Sequence, residues 1–357
     1  MRQRLHFCTS FAKCACMAGQ PVSAILASLN SRGVEPMIAM LKQHVIARGL
    51  AILLLGLTVP IAHGENLSPM EIARKSVVTV LPVWPGRPAN LDEPAGSGVV
   101  LGDGRTIVTA DHVLGPARTL MPVLVRDDDG TGYRARIVAR HKASDLAVLR
   151  IDEKLPALAK RGPELSLGDE VCAIGNAFGV GLSVSCGRVS AVHRAGIGFN
   201  AIEDFIQTDA AVNPGMSGGA LVDMQGRFTG MLSAIFTKTS DANIGMNFAI
   251  DAKLVQVIAD SLVNTGRFVP TATGVVLRAV PRSGEAGRQG VLVVKIMPGL
   301  PGDKSGLKTG DIVYLANGRR TRKPQDWLSV MAGRRSGERV EVSGLRDGKP
   351  FQWQMSE

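Results

Sequence analysis

The chain has 357 residues, of which 45% are hydrophobic and 20% charged, and its formal net charge is +10. This balance excludes a disordered chain, and the length leaves room for two domains, or three if one is small. The basic excess lies at the two ends. Residues 1–64 carry 6 basic side chains against 1 acidic, residues 65–269 carry 20 against 22, and residues 270–357 carry 15 against 8, giving +5, −2 and +7. Such surfaces attract nucleic acid or acidic lipid, but no nucleic-acid-binding motif accompanies this one, so nucleic acid is not an expected partner. Aromatic residues are only 4%, and 41 glycines and 19 prolines separate short Val- and Ile-rich runs. The cores are therefore expected to be aliphatic and the structure mainly β with tight turns.

Residues 49–62, GLAILLLGLTVPIA, form an uncharged run after Lys42 and Arg48 and before HGEN, the pattern of a secretory signal with Ala62 and Gly64 at a small-residue cleavage site. The run is short for a transmembrane helix, which needs about 20 residues. The chain is expected to meet a membrane only if this segment is retained. Residues 40–64 are read as the signal and residues 1–39 as a leader from a start placed too far upstream, with Met37 or Met40 the better initiators. Cys8, Cys14 and Cys16 fall in that leader, and no metal site is expected from their spacing. Cys172 and Cys186 remain in the exported part. A hairpin centred near Phe178 and Gly179 would set them opposite each other, and either a disulfide or two buried thiols satisfies the pattern.

Ser68, Pro69 and Glu71 make a capping box that predicts a short helix over residues 69–76. About a dozen β patterns follow, from VVTVLPVW to IGMNFAI, separated by turns such as GDG, DDDG and MQG. With no interleaved helices, they indicate antiparallel barrels or sandwiches. Residues 251–264 predict a closing helix, capped by Asp251 and stopped by Gly266, with Leu254, Val255, Ile258, Leu262 and Val263 on one face. Residues 65–267 are thus one domain and 268–272 a linker. Residues 273–357 form a smaller unit with a short helix near Pro324 and Asp326, Trp327 and Val330 inward, and a hairpin at Asp347 and Gly348.

Residues 215–219, GMSGG, contain a G-x-S-x-G. An α/β-hydrolase would need a histidine after this serine, and all six histidines precede it. The order His, Asp, Ser is available in His112, Asp145 and Ser217, separated by 33 and 72 residues and each beside a β run. An imidazole can take the serine proton while a carboxylate fixes its tautomer. Gly215 allows the loop to aim backbone N–H groups at an oxyanion. His141, in a polar charged stretch, and His193, at the start of a basic loop, are the rival bases.

The blocks GSGVVLGDGRTIVTADHVL, SDLAVLRI, AIGNAFGVGLSVSCGRVSAV, QTDAAVNPGMSGGALVD and IGMNFAID resemble, in order, the HtrA/Deg family of PDZ-containing serine proteases, from about Glu71 to the C-terminus. The resemblance implies a mainly β chain, with a chymotrypsin-like double β-barrel followed by one C-terminal PDZ domain. It implies His112 as general base, Asp145 as its orienter, Ser217 as nucleophile, and the N–H groups of Gly215 and Ser217 as the oxyanion hole. It implies no cofactor, a homotrimer, and residence in the periplasm or cell envelope. Unfolded or signalling polypeptides are the expected substrates, and C-terminal peptides the expected PDZ ligands.

Several positions depart from the family pattern. Met216 stands where Asn is usual, Ala220 and Asp251 where Pro is usual, and Asn247 where Gly is usual on the strand expected to pair with substrate. Ala211, Met246 and Asn247 are the expected substrate-binding residues. Ala211 takes the position where enzymes specific for Arg or Lys carry a pocket-floor aspartate, so cleavage after small or medium aliphatic residues is expected. The PDZ carboxylate loop aligns with Ala272, Thr273, Gly274 and Val275. Three segments, AFGVGL, RAGIGFNAIE and TKTSDAN, are Gly-rich or polar enough to move. A non-proteolytic holdase or PDZ adaptor is the alternative, less suited to a chain with all three triad groups.

Overall fold

Six strands close the first barrel: β1 (Val77–Pro82), β2 (Gly96–Leu101), β3 (Thr106–Thr109), β4 (Val123–Arg126), β5 (Gly132–His141) and β6 (Leu146–Arg150), joined in the order β1-β2-β3-β6-β5-β4. The computed structural model describes residues 67–83, 96–116, 123–158, 161–235, 245–280, 289–335 and 337–355. The leader, the signal and the segment TKTSDAN lie outside these residues. All described residues belong to one unit, Leu67–Glu357. Within it the capping box forms as expected. Ser68 Oγ accepts from Glu71 N–H and Glu71 accepts from Ser68 N–H, starting helix α1 (Pro69–Lys75), and Ser76 is its C-cap.

The second barrel has β7 (Glu170–Asn176), β8 (Leu182–Arg194), β9 (Phe205–Thr208), β10 (Ala220–Asp223), β11 (Phe228–Ile235) and β12 (Asn247–Asp251), in the order β10-β11-β12-β9-β8-β7. The alternative of sandwiches is thereby decided in favour of two closed barrels. Strands such as β1 and β10 are buried on every residue, whereas β5 alternates with one face toward water. Closure leaves neither barrel with a free sheet edge. Cys172 and Cys186 are register partners on β7 and β8, and they form a disulfide.

Helix α2 (Ala252–Thr265) follows, capped by Asp251 and ended by Gly266 at φ 73°, whose N–H bonds to Leu262 O. Leu254, Val255, Ile258 and Leu262 enter a core cluster that draws residues from both barrels. Val263, expected on the same face, is instead 42% exposed, because its place on the helix wheel lies at the border of the buried stripe.

The C-terminal unit is a sheet in the order β13-β14-β15-β17-β18, from β13 (Val275–Val280), β14 (Gly290–Ile296), β15 (Ile312–Ala316), β17 (Val340–Arg346) and β18 (Lys349–Met355), with the short β16 (Arg319–Arg320) beside β15. The segment read as a turn, PGLPGDKSG, contains a one-turn helix α3 (Pro301–Lys304). Helix α4 (Pro324–Ala332) buries Trp327 and Val330. The hairpin turns at Asp347, φ 49°, and Gly348, φ 76°.

Ion pairs join this sheet to the second barrel. Asp204, almost fully buried, accepts from Arg319 Nη1 at 2.8 Å and Nη2 at 2.9 Å, and pairs with His193 Nδ1 at 3.1 Å. His193 Nε2 meets Glu164 at 2.9 Å. His193 is the next-to-last residue of β8, at φ 54°, rather than part of a loop, and two carboxylates hold its ring. Lys253 on α2 pairs with Glu338 at 2.8 Å, and Lys323 Nζ donates to Gly196 O at 3.1 Å. RAGIGFNAIE, expected to be mobile, is held together here. Buried Glu203 accepts from the N–H groups of Ile197, Gly198, Phe199 and Asn200 at 2.6 to 2.9 Å.

Burial, reinforced by the nearby Asp204 charge, pushes Asp251 up from 3.8 to about 6, against the opposing Lys253 N–H, His193 and Arg319. The folded state therefore keeps a proton between about pH 4 and 6 that the unfolded chain has released. The stability linked to that proton is complete below about pH 4 and is lost as pH rises through 6. Asp251→Asn keeps an N-cap acceptor and removes this dependence. Relative to wild type, the variant is expected to gain on the order of 2 kcal/mol between pH 4 and pH 7.5 in denaturant melts; a difference between the two proteins that does not change with pH would refute the assignment.

Candidate active site

His112 sits on a 3-10 turn, Asp111–Leu114, directly after β3. Arg140 on β5 grips both ends of this turn, through Asp111 Oδ1 and Asp111 O on one side and Gly115 O on the other. Asp145 ends a second 3-10 turn, Lys142–Ser144, just before β6, in the left-handed conformation at φ 53° and ψ 46°. Its N–H bonds to Lys142 O, and its own C=O accepts from Asp111 N–H at 3.2 Å, so the two turns are tied to each other.

The Asp145 carboxylate is the meeting point of the site. Oδ1 accepts from His112 N–H at 2.9 Å, and His112 Nδ1 lies 3.0 Å from Oδ1 and 2.8 Å from Oδ2. Oδ2 also accepts from Ser233 Oγ at 2.8 Å. Burial disfavours the charged imidazole of His112, but the bond to Asp145 and the charges of Asp145 and Asp111 outweigh it, so its pKa stands above the ordinary 6.5. With Nδ1–H committed to Asp145, the neutral ring presents an unprotonated Nε2, the form a general base requires.

Ser217 lies on the loop between β9 and β10. Its Oγ donates to Ser233 O at 3.4 Å, and among the described residues it makes no hydrogen bond to His112. Long or absent contacts of this kind are common in unliganded sites. Gly215, at φ 92°, has its N–H and that of Ser217 without an intramolecular acceptor among the described residues, which leaves both donors available to an oxyanion. Met216 is buried and contributes backbone, its N–H bonding to Asn213 O at 3.0 Å.

The structure brings His112 and Asp145 together as expected and sets Ser217 beside them through Ser233. It engages the rival histidines elsewhere. His141 Nδ1 meets Ser144 Oγ at 2.7 Å and its ring packs edge-on against Phe268, while His193 serves the ionic junction with Arg319. Ser233 and Arg140 were not found by sequence reasoning. Ser233 is one serine within a β run, and only the pairing of β11 with β12 and its approach to Asp145 distinguish it.

Ala211 is exposed, and its N–H bonds to Ser185 Oγ at 3.0 Å. Met246 is 36% exposed. Asn247 differs from the expectation of a substrate contact. It is fully buried, and its Nδ2 donates to Ala210 O at 2.8 Å, so it braces the backbone one residue before Ala211 from behind.

In the C-terminal unit, β13 is an edge strand with α4 packed beside it, an arrangement open to strand addition by an extended peptide. Before it, Ala272 is exposed and Thr273 buried, and Gly274 adopts φ 71°. Thr273 O and Gly274 O accept from Gly302 and Met297 N–H, each at 2.8 Å. Val275 N–H turns to Thr273 Oγ1 at 3.4 Å, a weak bond that a stronger acceptor would displace.

The trypsin-like peptidase domain family matches residues 96–231, and the PDZ domain family matches residues 264–355. A probable periplasmic serine endoprotease DegP-like of Rhizobium meliloti (strain 1021) is 35% identical over 262 residues, covering 71% of this chain and 51% of its own. The periplasmic pH-dependent serine endoprotease DegQ of Escherichia coli (strain K12) is 31% identical over 279 residues, covering 75% and 60%. This chain thus spans about half to three fifths of the length of these curated relatives. The solved structure of an HtrA-type protease AlgW with tripeptide superposes with a TM-score of 0.60 at 31% identity, covering 81% of this chain and 95% of that one. Two closed barrels, a PDZ sheet and these relatives lead to one conclusion: the chain belongs to the HtrA family of trypsin-like serine proteases with a PDZ domain.

Proposed function

We propose that this chain is an exported serine endopeptidase that cleaves unfolded or signalling polypeptides in the periplasm. The reading is supported above all by the Asp145 carboxylate, which binds the backbone and ring of His112 and the hydroxyl of Ser233 while Ser233 in turn receives Ser217. In the proposed reaction Ser217 Oγ attacks the scissile carbonyl carbon and passes its proton to His112 Nε2. Asp145 fixes the ring's tautomer and stabilises the imidazolium. The N–H groups of Gly215 and Ser217 receive the developing oxyanion. The imidazolium then protonates the leaving amine, and a water deprotonated by His112 releases the acyl group from Ser217.

In this reading Ala211, with Met246 and the backbone braced by Asn247, sets a preference for small or medium aliphatic residues before the scissile bond. No carboxylate stands at position 211 to pair a buried cationic side chain. C-terminal peptides add to β13 as a strand, with the loop Ala272 to Val275 receiving their carboxylate. Assembly as a homotrimer follows from the family resemblance.

Three measurements test the proposal. Purified residues 65–357 are expected to cleave an unfolded, disulfide-free protein, and Ser217→Ala to lower the rate by at least about 10⁴-fold; equal cleavage by the two would remove Ser217 from the chemistry. The pH profile of kcat/KM should fall on the acidic side with an apparent pKa above 6.5, since a protonated His112 accepts no proton and its pKa is raised. Asp145→Asn should cost about 10⁴-fold and move that limb to lower pH, and an unmoved limb would assign the titration to another group. In a peptide library, cleavage mainly after Arg or Lys would overturn the role given to Ala211.

A further inference from the structure

Ser97 is fully buried, flanked by Gly96 and Gly98 on β2, and cannot touch substrate. Its hydroxyl nevertheless occupies a determining place. Oγ donates to Gly215 O at 2.8 Å and accepts from Asn176 N–H at 2.9 Å. Its backbone is bound as well. Ser97 N–H donates to Ser217 O at 2.8 Å, and Ser97 O accepts from Thr109 Oγ1 at 2.7 Å. One residue of the first barrel thus holds the loop on both sides of Met216.

The direction of the Gly215 N–H follows from two planar peptides. Pro214 O accepts from Phe178 N–H at 2.8 Å, and none of the described peptides is cis, so Gly215 N–H lies in the same peptide plane and points away from Phe178. The next peptide is held by Gly215 O on Ser97 Oγ and by Met216 N–H on Asn213 O. Glycine populates many backbone conformations at little cost, so Gly215 supplies no rigidity of its own. A Cβ at Gly215 would run into Asn176 O, which is why no stiffer residue fits. The restraint must come from outside the loop.

We propose that Ser97 is a positioning residue of the oxyanion site, holding the Gly215–Met216 peptide so that the Gly215 N–H is presented before substrate arrives. The assignment rests on the serine endopeptidase reading and extends it by one residue. Asn176 is its support. Asn176 Nδ2 donates to Thr79 Oγ1 at 2.9 Å and its Oδ1 accepts from Gly181 N–H at 2.9 Å, so the hairpin tip that supplies Phe178 N–H is anchored on the same side chain. The small neighbours are required by the same packing. A Cβ at Gly96 would strike Val113 and Ser217 O, and one at Gly175 would crowd Met216 and Ser97 Oγ.

The test compares wild type, Ser97→Ala and Ser97→Cys, the last keeping the volume but offering only a weak donor. Each is assayed for kcat and KM on an aliphatic peptide and for affinity toward a peptide boronate, whose tetrahedral adduct on Ser217 places an oxygen in the oxyanion site. Ser97→Ala should lower kcat about 10- to 100-fold with KM within about threefold, and weaken the boronate by a similar factor. Ser97→Cys should show a smaller loss in the same direction, which decides the matter if the alanine variant does not fold. Binding of an uncleaved peptide, measured in a Ser217→Ala background, should be the same with and without the Ser97 change. Unchanged kcat in the folded variants, or equal losses in kcat, boronate affinity and peptide binding, would overturn the assignment. A wild type that neither cleaves nor binds the boronate would instead overturn the endopeptidase reading, and the role of Ser97 with it.

Discussion

The buried Asp145 carboxylate is the interaction on which the site depends. A non-glycine residue at φ 53° is strained by roughly 1–2 kcal/mol, and charge-assisted bonds to its side chain offset that cost. Those bonds come from both barrels. His112 and Asp145 belong to the first, while Ser233, which reaches Oδ2 and receives Ser217 Oγ, belongs to the second. Separation of the barrels would take the Ser233 donor from Asp145 and leave it the two His112 bonds of its own barrel, so the candidate site and the barrel interface share one group.

The loop that carries Gly215 and Ser217 depends on a second constraint from the first barrel. Gly215 and Gly218 both adopt positive φ, and at both sites a Cβ would meet a neighbouring backbone oxygen. Such a loop can approach β2 closely but has little stiffness, and it gains order from Ser97 and Phe178 N–H. Bonds to buried, geometrically fixed partners supply what the chain's own torsional preferences do not.

Most of the architecture could be read from the sequence because it rests on local patterns. The capping box at Ser68, the Asp251 cap, the Gly266 stop and the Asp347-Gly348 turn each encode a boundary within a few residues, and the structure has all four. His112, Asp145 and Ser217 were legible through their order and their positions beside β runs. Ser233, Ser97 and Arg140 were not, because their roles arise from pairings 88, 118 and 29 residues distant in the chain. Asn247 was misjudged for a related reason. The family resemblance puts it on a strand expected to pair with substrate, whereas its side-chain amide is drawn inward to the Ala210 carbonyl. His193 reads from sequence only as the start of a basic loop, because a basic neighbourhood does not reveal two carboxylates brought in from Glu164 and Asp204.

Glu203 and Asp204 carry this point to the joining of the domains. They are adjacent, alike in charge and both buried, yet they face different demands. Glu203 turns back and satisfies four N–H groups of its own loop, which would otherwise be unpaired in a segment that approaches the PDZ domain through Gly196 and Lys323. Asp204 turns outward to the paired nitrogens of Arg319, while His193 supplies a second donor. A carboxylate buried to this extent is tolerable only with such partners, and the bidentate fork of arginine fixes their relative orientation. The loop's internal bonds and the seating of the PDZ sheet therefore draw on two consecutive side chains, Glu203 turned to its own loop and Asp204 to Arg319.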